Sequence, residues 1–396
     1  MMSGIENNPA TTNEPMRRHL HVVPNYPPAQ EGLMRLAQLG EVKLEHGDVL
    51  PNVTIAYRTW GELNAAGDNA VIILHALTGD SLAAGDGGWW EPVIGPGKPI
   101  DTRDHFVVCA NVLGGCQGST GPASRDEFGG FYGMRFPLVT IGDIVLTQRL
   151  LLESLGVTKV IAIGGSIGGF QALEWATRHA DMVAGTACIA AAGNLNALGI
   201  AVHGEVGRRA IMSDPNWLNG DYQQHGVFPE QGLAIARMAA MTTYNSRESL
   251  GNRFGRNPAV RKPIYPEFGS TFDVEGYLHY HGRALVQRFD ANSYLYLTRA
   301  MDLYDIGRNG GDAHWFNRID APMLLVGISS DWLFPPDDIE LLAARLADRG
   351  KDVTYALIES PNGHDAFLKD WNQLNPLVSG FMDSLYAAKG SERVSS

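Results

Sequence analysis

The sequence has few cysteines, and this scarcity excludes two kinds of structural support. Cys109, Cys116 and Cys188 are the three cysteines among 396 residues. Three scattered cysteines cannot form a disulfide framework, and their spacing does not match a zinc site. We therefore expect buried or incidental thiols in a reducing compartment, and we expect no metal ion.

The chain also lacks long apolar runs and a net positive charge. No apolar run approaches the roughly 20 residues of a membrane-spanning helix, and residues 1–18 lack the apolar segment of a signal peptide. The net charge is −12, from 31 basic and 43 acidic residues, which argues against general binding to nucleic acid or to an anionic membrane. A local basic pocket for an anionic ligand is still compatible with this charge. We expect a cytoplasmic protein.

What the sequence does contain is typical of a globular protein with a large core. Hydrophobic residues make up 44% of the chain and charged residues 19%, and this length allows one large domain with an insertion, or two domains. Residues 1–35 are polar and contain five prolines. We expect a flexible arm there.

Short apolar segments alternate with helical patterns along most of the remaining chain. Residues 42–45 and 53–59 predict a hairpin around a His-Gly-Asp turn. Buried strands are predicted at 70–74, 106–110, 160–163, 182–190, 322–327 and 353–358, and helices at 140–155, 337–346 and 366–388. Such alternation predicts a mostly parallel sheet with right-handed crossovers. It lapses at 193–314, which we interpret as a helical cap inserted into an α/β core of residues 36–192 and 315–388.

One strand-to-helix junction carries the pattern of a nucleophilic serine. Gly164, Ser166 and Gly168 match the G-x-S-x-G elbow. The serine of such an elbow has a strained backbone on a sharp turn, where flanking side chains would collide with the strand and the helix. The pattern alone is weak in a chain with 46 glycines, but the predicted strand before it and helix after it supply the required context.

A serine nucleophile needs a histidine base and a carboxylate that orients the base. In this topology both follow later in the chain, first the acid and then the histidine, each in a loop that leaves a strand. Asp331 follows the penultimate predicted strand and His364 follows the last one. Asp338 lies in a predicted helix and Glu359 precedes the histidine loop, so both are poorer candidates for the acid.

The negatively charged oxygen of the reaction intermediate needs two backbone donors. One should be the N–H of Ile167, directly after the nucleophile. The other should come from the loop after residue 74, where Leu77 or Thr78 is in position. We interpret His75 as a packing residue of that loop, because the base belongs after the last strand.

Four stretches of the chain together resemble the homoserine O-acyltransferases of the α/β-hydrolase superfamily. They are NVLGGCQGSTGP at 111–122, the elbow with QALEW at 171–175, SDWLFP at 330–335 and GHDAFL at 363–368. The resemblance extends from about residue 36 to 385. It implies an α/β-hydrolase fold and a ping-pong reaction, in which Ser166 takes the acyl group from acyl-CoA and His364 then activates the homoserine hydroxyl.

The resemblance also implies an acceptor site. Arg237 matches the carboxylate-binding arginine of the family, and Tyr244 matches a nearby tyrosine. Asp365, beside the catalytic histidine, can supply the anion for the acceptor's ammonium group. The family commonly has arginine directly after the tyrosine, and Asn245 takes that place here. This departure leaves one contact near the acceptor or the CoA entrance undecided.

The residue two positions after the acid predicts the acyl donor. Succinyl-using relatives have an arginine there, whereas Leu333 offers no counter-charge for a second carboxylate. Burying that carboxylate without a cation is costly. We therefore expect acetyl-CoA as co-substrate. The resemblance further implies no permanently bound cofactor and O-acetyl-L-homoserine for methionine biosynthesis as the product.

The sequence leaves other donors, other acceptors and a different activity open. The chain could use succinyl-CoA, could acylate serine instead of homoserine, or could be a plain esterase or thioesterase with water as acceptor. A non-catalytic ligand-binding member of the fold is disfavoured by the intact Ser166, Asp331 and His364. The resemblance further implies a homodimer that forms through the cap.

Overall fold

The computed structural model describes residues 31–259 and 272–394, with side-chain environments to residue 385. Most of the arm predicted at 1–35 lies outside the described residues. The described residues form an eight-stranded sheet in the order β1-β2-β4-β3-β5-β6-β7-β8. The strands are β1 (Arg35–Lys43), β2 (Val49–Trp60), β3 (Ala70–Leu74), β4 (Phe106–Ala110), β5 (Val160–Gly165), β6 (Val183–Ile189), β7 (Met323–Ile328) and β8 (Val353–Ile358).

The sheet is antiparallel at one edge and parallel elsewhere. β1 pairs with β2 and β2 with β4 in antiparallel fashion. The other five pairings are parallel. The predicted α/β architecture, with a hairpin followed by a mostly parallel sheet, is therefore confirmed.

The buried strands are covered on both faces. In β3, Ile72 belongs to one apolar cluster, while Val71 and Ile73 belong to another. Successive side chains of a strand point to opposite faces, so a continuous apolar run is what a strand covered on both sides requires. Phe170 of the helix after β5 packs into the first cluster, and Phe381 of the last helix packs into the second.

The helices flank the sheet and fill the interval between β6 and β7. They are α1 (Ile141–Ser154), α2 (Ile167–Arg178), α3 (Ala197–Gly199), α4 (Arg208–Met212), α5 (Glu230–Tyr244), α6 (Arg247–Phe254), α7 (Asp273–Val286), α8 (Ala291–Leu303), α9 (Gly311–Phe316), α10 (Pro336–Ala347) and α11 (Trp371–Val394). The first of them begins as predicted, because the Thr140 hydroxyl accepts the N–H of Asp143 at 3.1 Å and the Asp143 carboxylate accepts the N–H of Thr140 at 2.9 Å. In the described part, no helix is both long and apolar enough to cross a membrane.

The last helix begins at Trp371, five residues later than predicted. Gly363–Leu368 forms a separate 3-10 turn. The indole N–H of Trp90 donates to the Phe367 carbonyl at 3.1 Å, and this is the carbonyl that a continuous helix would offer to residue 371. The backbone leaves helical geometry at Lys369, whose φ is −136°, and the turn before this break carries His364.

Candidate active site

Four loops leave the carboxyl edge of the sheet from two pairs of neighbouring strands, β3 with β5 and β7 with β8. Leu74 of β3 is paired in register with Gly164 of β5, and Ile328 of β7 with Ile358 of β8. The loops that follow these strands therefore open on the same edge. In open α/β sheets, this is where ligands bind.

Ser166 occupies the sharp turn between β5 and α2. Its φ is 60° and its ψ −127°, a conformation that costs a non-glycine residue about 1–3 kcal/mol. A Cβ added to Gly164 would lie 2.4 Å from the Gly168 carbonyl oxygen, and one added to Gly168 would lie 2.0 Å from the Leu74 carbonyl oxygen. The two flanking glycines are thus required by close backbone approach, which is the reason predicted from the motif.

Asp331 and His364 form a buried hydrogen-bonded pair. His364 Nδ1 lies 2.7 Å from Asp331 Oδ2, and the other carboxylate oxygen accepts the N–H groups of Leu333 at 2.9 Å and Phe334 at 3.0 Å. Because a carboxylate can only accept, Nδ1 carries the hydrogen and the neutral ring presents a bare Nε2. Burial opposes the charged imidazolium, but the charge and hydrogen bond of Asp331 outweigh it and raise the pKa of His364.

Phe367 lies between His364 and the elbow that carries Ser166. The ring centre of Phe367 is 5.6 Å from that of His364, and its edge lies 2.6 Å from the position of a Cβ added to Gly165. His364 Nε2 is buried and has no hydrogen-bond partner within 31–259 and 272–385. The Ser166–His364 hydrogen bond is therefore not formed in this structure, and bonds of this kind often tighten only when substrate is bound.

The two loops that carry the acid and the base are hydrogen-bonded to each other. Gly363 N–H donates to the Ser330 hydroxyl at 2.9 Å, and Ser360 N–H donates to the Ser329 hydroxyl at 3.0 Å. These bonds fix the separation of the loops. The Asp331–His364 pair is thus held by its surroundings as well as by its own hydrogen bond.

The loop after β3 forms a tight turn with two free donors. Gly79 N–H donates to the Ala76 carbonyl at 2.8 Å, which makes Leu77 and Thr78 the central residues of a β-turn. Within the described part of the chain, no acceptor is assigned to the N–H of either residue. Ile167 is the first residue of α2, so its N–H has no partner within the helix. These free N–H groups come from the two positions predicted for the oxyanion hole.

His75 supports this turn from beneath. Its Nδ1 lies 2.8 Å from the Ala76 carbonyl, and its Nε2 accepts the N–H of Val112 at 3.2 Å. Burial lowers its pKa, so the ring is neutral with both nitrogens occupied. This arrangement agrees with its interpretation as a packing residue.

Two of the predicted acceptor residues lie beside His364 and the turn of Leu77 and Thr78. The Arg237 guanidinium donates to the Thr78 hydroxyl at 3.3 Å and lies 5.3 Å from the ring centre of Tyr244. That ring centre is 5.8 Å from the His364 ring. Burial, together with the nearby Asp365 carboxylate, raises the pKa of Tyr244 to about 12, so the phenol stays protonated.

Asp365 already has a partner in this structure. Its carboxylate pairs with Lys369 Nζ at 3.2 Å, one helical turn further along the chain. A ligand ammonium group would have to share this carboxylate or displace the lysine. Such a half-exposed pair contributes little to stability, so displacement is inexpensive.

Leu333 and Asn245 have structural contacts that the sequence did not reveal. The Leu333 side chain is fully buried in the same apolar cluster as Ile167. The Asn245 side-chain amide donates to the Met241 backbone carbonyl at 2.9 Å, and the backbone carbonyl of Asn245 accepts the Trp332 indole N–H at 2.9 Å. Asn245 thus connects the end of α5 to the loop that carries Asp331.

Sequence reasoning missed two further residues near this edge. Arg288, which follows α7, donates to the Thr78 carbonyl at 2.6 Å. His203 is buried, with its ring centre 5.5 Å from that of Tyr244. It lies on the π-helical turn Ile200–Gly207, a geometry often found at functional sites. Neither residue belongs to a motif, so no local signal points to them.

No group of three or more metal-ligating side chains occurs within 31–259 and 272–385. The three cysteines are unpaired. Burial raises the pKa of the Cys109 and Cys188 thiols, and that of Cys116 to about 12. These thiols are therefore protonated and poorly nucleophilic at neutral pH.

Known proteins with similar sequences and structures share this arrangement of strands and loops. A family model described as the alpha/beta hydrolase fold matches residues 69–370. A homoserine O-acetyltransferase from Moorella thermoacetica is 48% identical over 354 residues, which cover 86% of this chain and 93% of that protein. The crystal structure of homoserine O-acetyltransferase from Bacillus anthracis matches with a TM-score of 0.84 at 27% identity, covering 89% of this chain and 98% of that one. The crystal structure of esterase E22 matches with a TM-score of 0.81 at 28% identity, covering 88% and 99%.

Proposed function

Because the chain belongs to the homoserine O-acetyltransferases of the α/β-hydrolase fold, we propose that Ser166, His364 and Asp331 move an acetyl group from acetyl-CoA to the hydroxyl of L-homoserine. Acetyl transfer to homoserine is the activity of this family, and its product, O-acetyl-L-homoserine, serves methionine biosynthesis. What we propose is the role of each of these three residues and acetyl-CoA as the acyl donor. The observation that carries them is the buried Asp331–His364 pair, with a bare Nε2, beside a strained serine.

In the first half-reaction, Ser166 attacks the thioester of acetyl-CoA. His364 Nε2 takes the hydroxyl proton as Oγ bonds to the carbonyl carbon, and the N–H groups of Leu77 and Ile167 bind the oxygen that becomes negative. The intermediate then collapses, the carbon–sulfur bond breaks, and the departing thiolate of CoA takes the proton from His364. Asp331 remains ionised and stabilises the imidazolium between these two steps.

In the second half-reaction, homoserine replaces CoA. Its hydroxyl gives a proton to His364 Nε2 and its oxygen attacks the acetyl carbonyl of the acyl-serine. The same two N–H groups bind the oxyanion, the bond to Ser166 Oγ breaks, and Oγ recovers the proton. The acetyl ester of homoserine is released and the enzyme returns to its starting state.

The acceptor is held by its two charged ends. Arg237 binds the carboxylate, Tyr244 forms the wall between that arginine and His364, and Asp365 binds the ammonium group in place of Lys369. Leu333 keeps the donor side apolar, since a fully buried leucine beside the acid offers no cation for a succinyl carboxylate. No permanently bound cofactor takes part.

Hydrolysis is the second candidate function, and one observation favours it. Esterase E22 matches this chain with a TM-score of 0.81, so the same fold also hosts an enzyme named for ester cleavage. The two functions share the acyl-serine and differ in the acceptor. Homoserine competes with water for the same carbonyl carbon.

We also propose the organisation that the family implies. Residues 193–314 form a cap over a core of 36–192 and 315–388, and the protein acts in the cytoplasm as a homodimer.

A matrix of donors and acceptors tests the proposed function. Acetyl-CoA and succinyl-CoA are each combined with homoserine, with serine and with no amino acid, and both free CoA and the acylated amino acid are measured. We expect acetyl-CoA with homoserine to give the highest kcat/KM and a matched yield of CoA and O-acetyl-homoserine. CoA release at the same rate without an acceptor would assign the protein to the esterases, and a preference for succinyl-CoA would overturn the donor assignment.

A further inference from the structure

Two arginines from separate segments converge on one residue of the oxyanion turn. Arg237 of α5 donates to the Thr78 hydroxyl at 3.3 Å. Arg288, which lies just after α7, donates to the Thr78 carbonyl at 2.6 Å. Both hydrogen bonds end on the residue that follows Leu77, so two positive charges lie within one residue of the proposed oxyanion donor.

Neither guanidinium has a carboxylate partner within the ranges 31–259 and 272–385. Other arginines in these ranges form ion pairs within 4.0 Å, such as Arg208 with Asp302 at 2.6 Å and Arg308 with Glu174 at 2.9 Å. Arg237 and Arg288 form none within these ranges. Burial and then the nearby charge of Arg237 lower the pKa of Arg288, whereas the Asp80 carboxylate opposes this shift. Two cations that donate to the same residue repel each other. Each arginine has one hydrogen bond to Thr78, which leaves most of its N–H donors free.

An anion between the two arginines would remove this repulsion and use the free donors. Guanidinium groups bind carboxylates and phosphates through paired N–H···O bonds. Acetyl-CoA offers phosphates and homoserine offers a carboxylate. The pantetheine arm holds the phosphates of CoA far from the thioester, whose carbonyl must enter the oxyanion hole at Leu77. Homoserine is short, so its carboxylate has to bind close to that hole, and Thr78 is the next residue.

We propose that Arg288 and Arg237 together form the binding site for the acceptor's carboxylate, with Arg288 as a second determinant of acceptor affinity. This inference rests on the proposed function, since it assigns a further residue to the acceptor site. It also gives the contact between Arg288 and Thr78 a role. The contact holds the cation at the edge of the turn before the acceptor arrives.

The test compares two acceptors that differ in the carboxylate alone. Homoserine and 2-amino-1,4-butanediol, in which a hydroxymethyl group replaces the carboxylate, are assayed with wild-type protein, Arg288→Met and Arg288→Lys. A hydrogen bond to a charged group is strong enough that Arg288→Met should lower kcat/KM for homoserine by about 10- to 100-fold. The value for the diol should change by less than about threefold, because it has no charge for Arg288 to bind. Arg288→Lys keeps the charge but loses the planar guanidinium group. Its kcat/KM for homoserine should therefore fall between the values for the wild type and Arg288→Met.

The control is Arg283→Met, which removes an exposed arginine from α7, five residues before Arg288. We expect it to match the wild type with both acceptors. Thermal unfolding of every variant separates loss of binding from loss of fold, and Arg288→Lys carries the comparison if Arg288→Met does not fold.

Three outcomes would overturn the inference. Equal losses with homoserine and the diol would mean that Arg288 only positions the turn. Unchanged kcat/KM for homoserine would remove Arg288 from the site. A loss that appears with acetyl-CoA but disappears with the phosphate-free donor S-acetyl-N-acetylcysteamine would assign Arg288 to the phosphates of CoA. Failure of the proposed function is distinguishable from all three, because the wild-type protein would then not form an acetyl-serine or would not transfer it.

Discussion

Replacing Asp331 with asparagine should reverse the tautomer of His364 and leave the fold intact. The Asp331 carboxylate accepts three hydrogen bonds, one at Oδ2 from His364 at 2.7 Å and two at Oδ1 from the backbone of Leu333 at 2.9 Å and Phe334 at 3.0 Å. Asparagine has one carbonyl oxygen and one NH₂ group, so it cannot accept on both sides. Its orientation decides which hydrogen the imidazole carries.

The backbone contacts decide that orientation. If the asparagine NH₂ group faced Leu333 and Phe334, it would meet their two backbone N–H groups, which are also donors. Both of these hydrogen bonds would then be lost. Each such bond between neutral groups contributes about 0.5–1.5 kcal/mol, so the carbonyl oxygen should face the backbone with a preference of about 1–3 kcal/mol over the reverse. The NH₂ group then faces His364 and makes Nδ1 an acceptor.

A histidine in this tautomer carries its hydrogen on Nε2 and cannot take the proton of Ser166. We expect kcat to fall by about 10⁴-fold, the loss that this change causes in a Ser-His-Asp triad. The assay is rapid-quench measurement of acetyl-enzyme formation from acetyl-CoA, with thermal unfolding as the test of the fold. Asp338→Asn, at an exposed position of α10, serves as the matched control.

The pH profile gives a second readout of the same substitution. Protonated His364 cannot act as a base, so kcat/KM is lost as the pH falls through its pKa. In the wild type that pKa is raised above the ordinary 6.5 by Asp331, and the acid limb should therefore lie above that value. The residual activity of Asp331→Asn should have its acid limb at lower pH. A loss of kcat below about tenfold, or an unmoved acid limb, would refute the reasoning.

Three other substitutions test separate parts of the account. Arg237→Ala should spare acetylation by acetyl-CoA but lower kcat/KM for homoserine by about 30-fold or more, because the acceptor carboxylate loses a cation; a defect confined to the first half-reaction would place Arg237 in the CoA site. Leu333→Arg should raise the succinyl-to-acetyl ratio of kcat/KM about 10-fold if about 1.4 kcal/mol of the new ion pair is realised, and an unchanged ratio in a folded variant would contradict the role of Leu333. Arg308→Met should lower the free energy of unfolding, measured in urea, by about 3 kcal/mol. It removes a cation that lies 2.9 Å from the buried Glu174 carboxylate, and Arg178 alone then pairs with that carboxylate. An unchanged unfolding midpoint would show that this buried pair does not stabilise the fold.

Local sequence patterns predict the parts of this site that depend on backbone geometry. The glycines around Ser166 are dictated by carbonyl oxygens 2.0–2.4 Å from any added Cβ, so a short motif captures them. Asp331 and His364 follow strands whose order the topology fixes, so their positions along the chain single them out as candidates for the acid and the base. The start of α1 was predictable for the same reason, because its capping bonds join residues three positions apart.

The remaining features depend on contacts between distant segments, which periodicity does not encode. Arg288 lies 210 positions from Thr78, which it contacts. The Phe367 carbonyl, just before α11, accepts a hydrogen bond from Trp90, 277 positions away. Asn245 departs from the family pattern, and the contact of its backbone carbonyl with Trp332, 87 positions away, becomes visible in the fold alone.

The central claim is that the acetyl group passes through Ser166, and it can be measured directly. Purified protein is mixed with acetyl-CoA alone, quenched at short times, digested and mapped by mass spectrometry, and a second sample is chased with homoserine before quenching. We predict one acetyl group on the peptide that contains Ser166, its loss during the chase with formation of O-acetyl-homoserine, and neither acetylation nor turnover in Ser166→Ala. Acetylation of a different residue, or full activity in Ser166→Ala, would contradict the account.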